Sequence, residues 1–379
     1  MGGNRVRIMK SGIIYGVFFM IITFCMINNL MAEEQDSRSF LMSMTYQPYD
    51  WSDEAFDETY RFIQKNADAT FFYFDDGVPW SEALNGTPFH QNVNADIEEK
   101  LLQAQKSDQL FVGVNFLGKD RSSLASYWAK EDSMALPENW AEKTLGDPDV
   151  VKAYIQYCKR MIAAFKPTVF IYGMEVDSVR MDVGSKDFEV LQAFISAVYT
   201  ELKKEFPDVK HVLTFVLLPE EDMRTKVDMV RALLPYTDIY AVSLYPYLFD
   251  GIAGDANKIP SRLLSQVRDY IRDKPFAIAE TGFNAKRWSV LSKLIWIAGD
   301  ETSQSRYVRF LLAEADQLDA VFVNWWVPRD LDALWLKMKA SGADPMYSQW
   351  NSNGLMRANG EARPSYYVWQ EWYQKKIRD

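Results

Sequence analysis

Eight short runs of apolar, β-branched and aromatic residues recur along the chain, and each is followed by a stretch with helical periodicity. The runs fall at 40–46, 69–74, 110–116, 168–175, 211–218, 238–245, 275–280 and 320–326. Most are continuously apolar rather than alternating, as strands covered on both faces are. Helical patterns lie between them at 54–65, 97–106, 150–165, 188–206, 222–234, 261–272 and 303–318, with a last one at 365–377. Three of these stop at Pro167, Pro207 and Pro235, because the residue before a proline avoids helical geometry. Strict alternation of eight strands and eight helices predicts an α/β fold of the (β/α)8 TIM-barrel type. An open doubly wound sheet is the runner-up. It needs a glycine-rich first strand–helix turn, and none is present. No linker divides the region, so residues 38–379 are expected to form a single domain.

Charge and composition narrow the chemistry. The net charge is −10 and no basic stripe offsets it, which excludes nucleic acid as an expected partner. Only two histidines, His90 and His211, and two cysteines, Cys25 and Cys158, occur in 379 residues. That scarcity removes the usual zinc and thiol sites, so no metal and no cofactor is expected. Whatever chemistry exists falls to carboxylates, hydroxyls and aromatics, the last at 15% of the chain. Much of that aromatic content belongs to the core, and the remainder suits a cleft in which flat rings stack on sugars. Ahead of the first strand, Arg5, Arg7 and Lys10 precede an apolar run at 13–27. Residues 1–32 therefore read as a signal peptide or an N-terminal anchor, with 13–31 as the possible membrane tether. The globular part is expected outside the cytoplasm.

In a barrel of this kind the carboxyl ends of the strands open into one bowl. Those positions supply Tyr46 on the first strand, Asp75 and Asp76 on the second, and Asn115 on the third. The fourth gives Glu175 and Asp177, the sixth Tyr245, the seventh Glu280, and the eighth Asn324, Trp325 and Trp326. Trp80, just beyond the Asp75-Asp76 pair, is either a stacking platform or a rim residue. Trp128, Trp140 and Trp288 are weaker candidates of the same kind, and the segment 118–146 is expected to form a cleft wall. Strands four and seven face each other across the bowl, so Glu175 and Glu280 can flank one bond of a bound chain. Glycoside hydrolysis needs such a pair: one carboxyl donates a proton to the leaving oxygen, and the other attacks the anomeric carbon or activates water.

The order of the motifs resembles the clan of retaining barrel glycosidases that includes endo-β-1,4-galactanases, β-galactosidases and many cellulases. Tyr172-Gly173-Met174-Glu175 is similar to that clan's acid/base strand. Ser243-Leu244-Tyr245-Pro246 resembles the Ser-x-Tyr-Pro segment of galactanase-like members. Glu280-Thr281-Gly282-Phe283 resembles the nucleophile strand, and Asn324-Trp325-Trp326 the aromatic floor. Asn353-Gly354-Leu355 and Arg363-Pro364 are similar to the clan's closing run. The resemblance implies Glu175 as acid/base, Glu280 as nucleophile, Tyr245 holding the nucleophile ionised, and Trp325 or Trp326 under the sugar. It implies an endo-acting, retaining hydrolase of β-linked polysaccharide. One position departs: Met174 stands where the clan carries an asparagine that binds the sugar 2-hydroxyl, a task left to Asp177, Asn115 or Asn324. A catalytically silent, envelope-tethered glycan-binding barrel is the alternative that this departure favours.

Overall fold

The computed structural model describes residues 36–378 except 105, 106, 108 and 272. The proposed signal or anchor at 1–32 lies outside the described residues. Eight strands form the barrel: β1 (Leu41–Thr45), β2 (Ala69–Phe74), β3 (Leu110–Val114), β4 (Val169–Gly173), β5 (Lys210–Val216), β6 (Tyr240–Leu244), β7 (Phe276–Thr281) and β8 (Phe322–Trp325). They pair in chain order, all parallel, and β8 pairs with β1 to close the barrel. Each predicted apolar run coincides with one of these strands to within two residues at either end.

Side chains of successive strand residues point alternately into the lumen and outward to the helices. Phe71, Phe111, Ile171, Ala241, Ala277 and Phe322 fill the lumen. Large rings meet small residues there, and Phe111 lies 4.8 Å from Phe322 between centroids. The outward set, including Met42, Met44, Phe72 and Phe170, packs against the helices in a second, larger core. Helix Asp53–Asn66 shows why the sequence folds this way: Ser52 accepts from the Ala55 amide at its start, and Ala55, Thr59, Tyr60 and Ile63 form its buried stripe. Helix Pro148–Phe165 starts on an Asp147 cap with proline in its first turn.

Two predicted helices are interrupted, each by a buried polar side chain. The 222–234 stretch splits into Glu220–Met223 and Val227–Leu233, because Lys226 between them turns inward to an ion pair with Asp177 at 2.9 Å. The 261–272 stretch keeps only Arg268–Ile271 as α-helix. Ahead of it, the buried Gln266 side chain occupies the Leu263 carbonyl (2.8 Å), which a continuous helix would use. The terminal helix spans Pro364–Tyr373, and the chain then forms a short strand, Lys376–Ile377, beside Ser37–Arg38. Helices Trp80–Asn85 and Asp332–Ala340 and the hairpin of Trp288–Val290 with Ile295–Ile297 were not expected.

The long connection after β8 carries helix Asp332–Ala340 and the 3-10 turn Pro345–Trp350 over the barrel mouth. Its base is fixed by Arg363, fully buried, which grips Asp330 with Nη1 at 2.5 Å and Nη2 at 2.6 Å. Arg363 also donates to the Gly354 carbonyl at 2.8 Å. Gly354 lets this happen: a Cβ there would lie 2.4 Å from the Arg329 carbonyl carbon and the Asp330 nitrogen. Removing one partner of a buried pair costs about 3–5 kcal/mol, and without Asp330 the Arg363 charge keeps only the half-buried Glu301, 3.2 Å from its Nε. Asp330→Ala is therefore expected to lose stability of about that size in urea unfolding at neutral pH; a loss below about 1 kcal/mol, the scale of a surface pair, would show that Arg363 is not held this way.

Candidate active site

Beneath the post-β8 connection lies a cavity of about 430 Å³ lined by Asp75, Asp76, Arg121, Glu175, Tyr245, Glu280 and Trp326, among others. Its two glutamates reach it through irregularities in their strands. On β7, Val242 and Ser243 of β6 pair with Ile278 and Glu280, so one residue of β7 is bulged out of register. Ala277 and Ala279 face the lumen, and simple alternation would turn Glu280 outward; the bulge re-aims it into the bowl. Thr281 then faces away, bonding the Leu244 carbonyl and lying within hydrogen-bond reach of the Tyr307 hydroxyl. On β4, a similar shift between Ile171 and Gly173 sends Met174 into the lumen. Glu175 follows with φ at +50°, a left-handed conformation uncommon for a glutamate. Side chains of adjacent strands satisfy the backbone donors this turn releases. Asn115 Oδ1 accepts from the Met174 amide (3.2 Å) and Thr214 Oγ1 from the Glu175 amide (2.8 Å).

The two carboxyls sit in different electrostatic surroundings. Glu175 accepts from Arg121 Nε at 3.0 Å. Arg121 Nη1 also holds both oxygens of Asp75, and its Nη2 donates to the Tyr73 hydroxyl at 3.1 Å. Glu280 is half-buried and accepts from the Tyr245 hydroxyl. Burial foremost, then the charge of Glu175, push the Glu280 carboxyl from the usual 4.5 up to about 8. The Tyr245 hydrogen bond and Arg121 pull the other way without prevailing. Burial also raises Asp76 to about 6, and its carboxyl accepts no hydrogen bond from the described residues. Aromatic rings wall the rest. Tyr245 lies 4.4 Å from Trp350, Trp350 6.0 Å from Trp326, and Trp326 5.7 Å from Tyr73 in an edge contact. The Trp326 indole Nε1 is buried and unpartnered, as is Asn115 Nδ2.

Of the residues expected in the bowl, Asp75, Asp76, Glu175, Tyr245, Glu280 and Trp326 line the cavity. Six others do not. Tyr46 points outward among Phe56, Tyr60 and Phe72 and donates to Glu99 at 3.0 Å. Trp80 is fully buried, stacked on Trp140, with its indole donating to the Ala125 carbonyl. Asp177 is consumed by Lys226 and the Val216 amide. Asn324 bonds Ser43 and Thr45 in a polar layer between β8 and β1. Trp325 is the outward neighbour of Trp326 and donates to the Asn353 carbonyl. Asn115 braces the β4 turn from beneath. Trp128, Trp140 and Trp288 are likewise buried. His90 lies in a surface loop, its Nδ1 accepting from the Asn92 amide, and His211 is buried with its ring against the Phe206 carbonyl.

Tyr73, Lys119, Arg121, Trp335 and Trp350 line the cavity without having been singled out from the sequence. Lys119 and Arg121 do come from the segment expected to form a wall. Among the described residues, no group of His, Cys, Asp or Glu side chains is arranged to hold a metal ion, and no helix is long and apolar enough to cross a membrane.

No family model and no curated protein matches this sequence. Solved structures do. The chain is similar to GH5_18 from Streptomyces cattleya, in complex with GlcNAc, with a TM-score of 0.59 at 14% identity over 90% of this chain and 83% of that one. GH5_18 from Bifidobacterium longum subsp. infantis gives 0.60 at 15% identity, covering 90% and 80%. The Ignisphaera aggregans GH53 catalytic domain gives 0.54 at 19% identity, covering 82% and 87%. At these identities the likeness establishes the fold: a (β/α)8 barrel of the architecture that glycoside hydrolases use.

The Glu280 carboxyl makes a test that needs no substrate. Because its value is raised in the folded state, folding takes up a proton, and the stability this group allows is full below about pH 4.5 and lost as pH rises through about 8. Glu280→Gln removes the titration. The variant is expected to gain stability over wild type between pH 5 and pH 8, by on the order of a few kcal/mol, in urea unfolding at both pH values. A gap that stays constant with pH would show that Glu280 titrates as an ordinary carboxylate.

Proposed function

We propose that the chain is a glycoside hydrolase acting on a β-linked glycan, with Glu175 as acid/base and Glu280 as nucleophile. The observation that carries this reading is the convergence of two glutamates from β4 and β7 on one cavity walled by Tyr73, Trp326 and Trp350. In a two-glutamate mechanism Glu175 protonates the departing oxygen while Glu280 attacks the anomeric carbon, and Glu175 then activates water to release the sugar. Tyr245 supports the second role because its hydroxyl donates to the Glu280 carboxyl and so favours the ionised form that attacks. Asp76, which lines the cavity, offers an acceptor for sugar hydroxyls. The apolar segment at 13–27 supports action outside the cytoplasm.

The cavity volume lies in the range of sites that enclose small ligands, which favours a short chain or a chain end over a long polysaccharide threaded through the bowl. Endo action requires an outlet past helix Asp332–Ala340 or the Pro345–Trp350 turn, and product length reports it. A glycan panel should include Manb1-4GlcNAc, the ligand of a GH5_18 variant from Streptomyces cattleya.

A specific observation favours the second reading, a silent glycan-binding barrel. Met174 is buried among lumen residues, Asp177 and Asn324 are committed to structural bonds, and the buried Asn115 spends its Oδ1 on the Met174 amide. One experiment separates the two. Wild type is expected to release reducing sugar with retained anomeric configuration in the first product, read by proton NMR. Glu175→Gln and Glu280→Gln are each expected to lower the rate by about 10²–10⁴-fold or more. If wild type and both variants release the same trace from every glycan while one glycan still binds, the silent barrel is correct. Inverted product would instead assign Glu280 as a base acting through water.

A further inference from the structure

The cavity over the glutamates is divided by chemistry. Its six charged side chains, Asp75, Asp76, Lys119, Arg121, Glu175 and Glu280, stand at or just beyond the ends of β2, β3, β4 and β7. The post-β8 connection supplies another wall and brings no charge to it. Between 331 and 351 it carries four charged side chains, and none of them lines the cavity. Asp332 turns to Lys286 (3.3 Å), Lys337 to Asp50 (2.7 Å) and Asp344 to Lys293 (3.2 Å), while Lys339 is exposed. What the connection presents is Leu331, Leu334, Trp335, Met338, Tyr347 and Trp350, with two uncharged amides, Gln349 and Asn351.

Helix Asp332–Ala340 explains this wall. Leu331, Leu334, Trp335 and Met338 recur at helical spacing and form one apolar stripe. Such a stripe normally spends itself on the core, and its first half does: Leu331 and Leu334 are buried with Val327 against Tyr49. Its second half runs past that support. Met338 is only half-buried, and among the described residues the half-buried Trp335 ring belongs to none of the apolar clusters. Both open into the cavity. A sugar can lay its CH face on an indole, yet its hydroxyls point outward all round. A hydroxyl pressed on a thioether or on leucine methyls gives up its water and gains no partner. This part of the stripe therefore fits hydrocarbon, and it shares one cavity with the glutamates.

We propose that the site takes an amphipathic β-glycoside, whose sugar lies at Glu175 and Glu280 and whose apolar group, alkyl or aryl, lies against Trp335 and Met338. A cavity of about 430 Å³ is of a size to enclose such a molecule. Trp335 and Met338 are then specificity-determining residues, because the affinity they add grows with the apolar area they cover. A glycoside without the apolar group is held by its sugar alone. The catalytic meaning of this preference rests on the hydrolase reading; the binding preference itself does not.

The test is calorimetric titration of the full chain carrying Glu280→Gln with methyl, hexyl and phenyl β-glycosides of glucose, galactose, mannose and N-acetylglucosamine. The β-1,4-linked disaccharides of the same sugars complete the set. For at least one sugar, the hexyl or phenyl glycoside is expected to bind about tenfold or more tightly than the methyl glycoside. Hexyl above phenyl assigns a flexible chain to the wall, and phenyl above hexyl a flat ring. Adding Trp335→Ala is expected to bring that ratio close to one, and Met338→Ser to shrink it. Leu336→Ser, at a position 68% exposed on the same helix and outside the cavity lining, is expected to keep it. The proposal is overturned if no hexyl or phenyl glycoside outbinds its methyl counterpart, or if the ratio survives both cavity substitutions. It is equally overturned if a disaccharide outbinds both and loses that margin in Trp335→Ala, since the wall would then hold a second sugar. A chain that shows the ratio yet, as wild type, hydrolyses nothing sinks only the hydrolase reading. One that hydrolyses glycans without the ratio sinks only the apolar subsite.

Discussion

The site depends on the barrel breaking its own alternation at two places. A closed parallel barrel must fill its lumen with alternate residues of every strand, and here Phe71, Phe111, Ile171 and Phe322 do so with little space to spare. Glu175 and Glu280 are the wrong partners for that apolar column. The shift on β4 and the bulge on β7 let Met174 and Ala279 finish the lumen while the next residue emerges above it. Each glutamate therefore stands directly on an apolar floor, and that floor gives the site its electrostatics. Glu280, with hydrocarbon below and Trp350-packed Tyr245 beside it, loses its water and holds its proton well above the ordinary carboxylate range.

Above the floor, the two carboxyls have different partners. Near the surface of a protein, opposite unit charges about 4 Å apart attract by about 4 kcal/mol, enough to offset much of the cost of drying a carboxylate. Glu175 receives that attraction from Arg121, while Glu280 receives a neutral hydroxyl. Two residues of the same type, facing one cavity, thus meet different neighbours, because one loop places a guanidinium within hydrogen-bond distance of Glu175 only. Asp75 matters for the same reason. It holds Arg121 through both oxygens and so aims the cation that Glu175 feels.

The barrel was legible in the sequence because burial on both faces leaves continuous apolar runs, a signal that survives without knowing register. The bowl was less legible because reading strand ends by position ignores phase. Tyr46 and Trp325 end their strands on the outward face, and Tyr73 and Trp326 on the inward one, as the parity of Phe71 and Phe322 would have indicated. Parity alone would still have failed for Glu280, since nothing in Ala279-Glu280-Thr281 announces a bulge. Arg121 was out of reach for another reason. A basic residue in a polar loop looks like a solvated surface until the fold lays it across Asp75 and Glu175. Asp177 misled in the opposite sense, because its partner Lys226 was hidden inside what read as one amphipathic helix.

The closing run of the chain shows how a motif can resemble a family for architectural rather than chemical reasons. Asn353-Gly354-Leu355 and Arg363-Pro364 contribute no side chain to the cavity lining, yet both are needed to hold its wall. Gly354 admits the Arg329–Asp330 backbone at a distance no Cβ permits, Arg363 locks Asp330 from behind, and Pro364 starts the last helix at once. The connection so anchored carries Trp335 and Trp350 over the mouth. A barrel that must position a wall across its open end needs a rigid return from that wall to the final helix. A buried arginine beside a glycine supplies one whatever the bowl binds. Those residues therefore argue for the shape of the site, and the case for its chemistry rests on the glutamates and on the arginine between them.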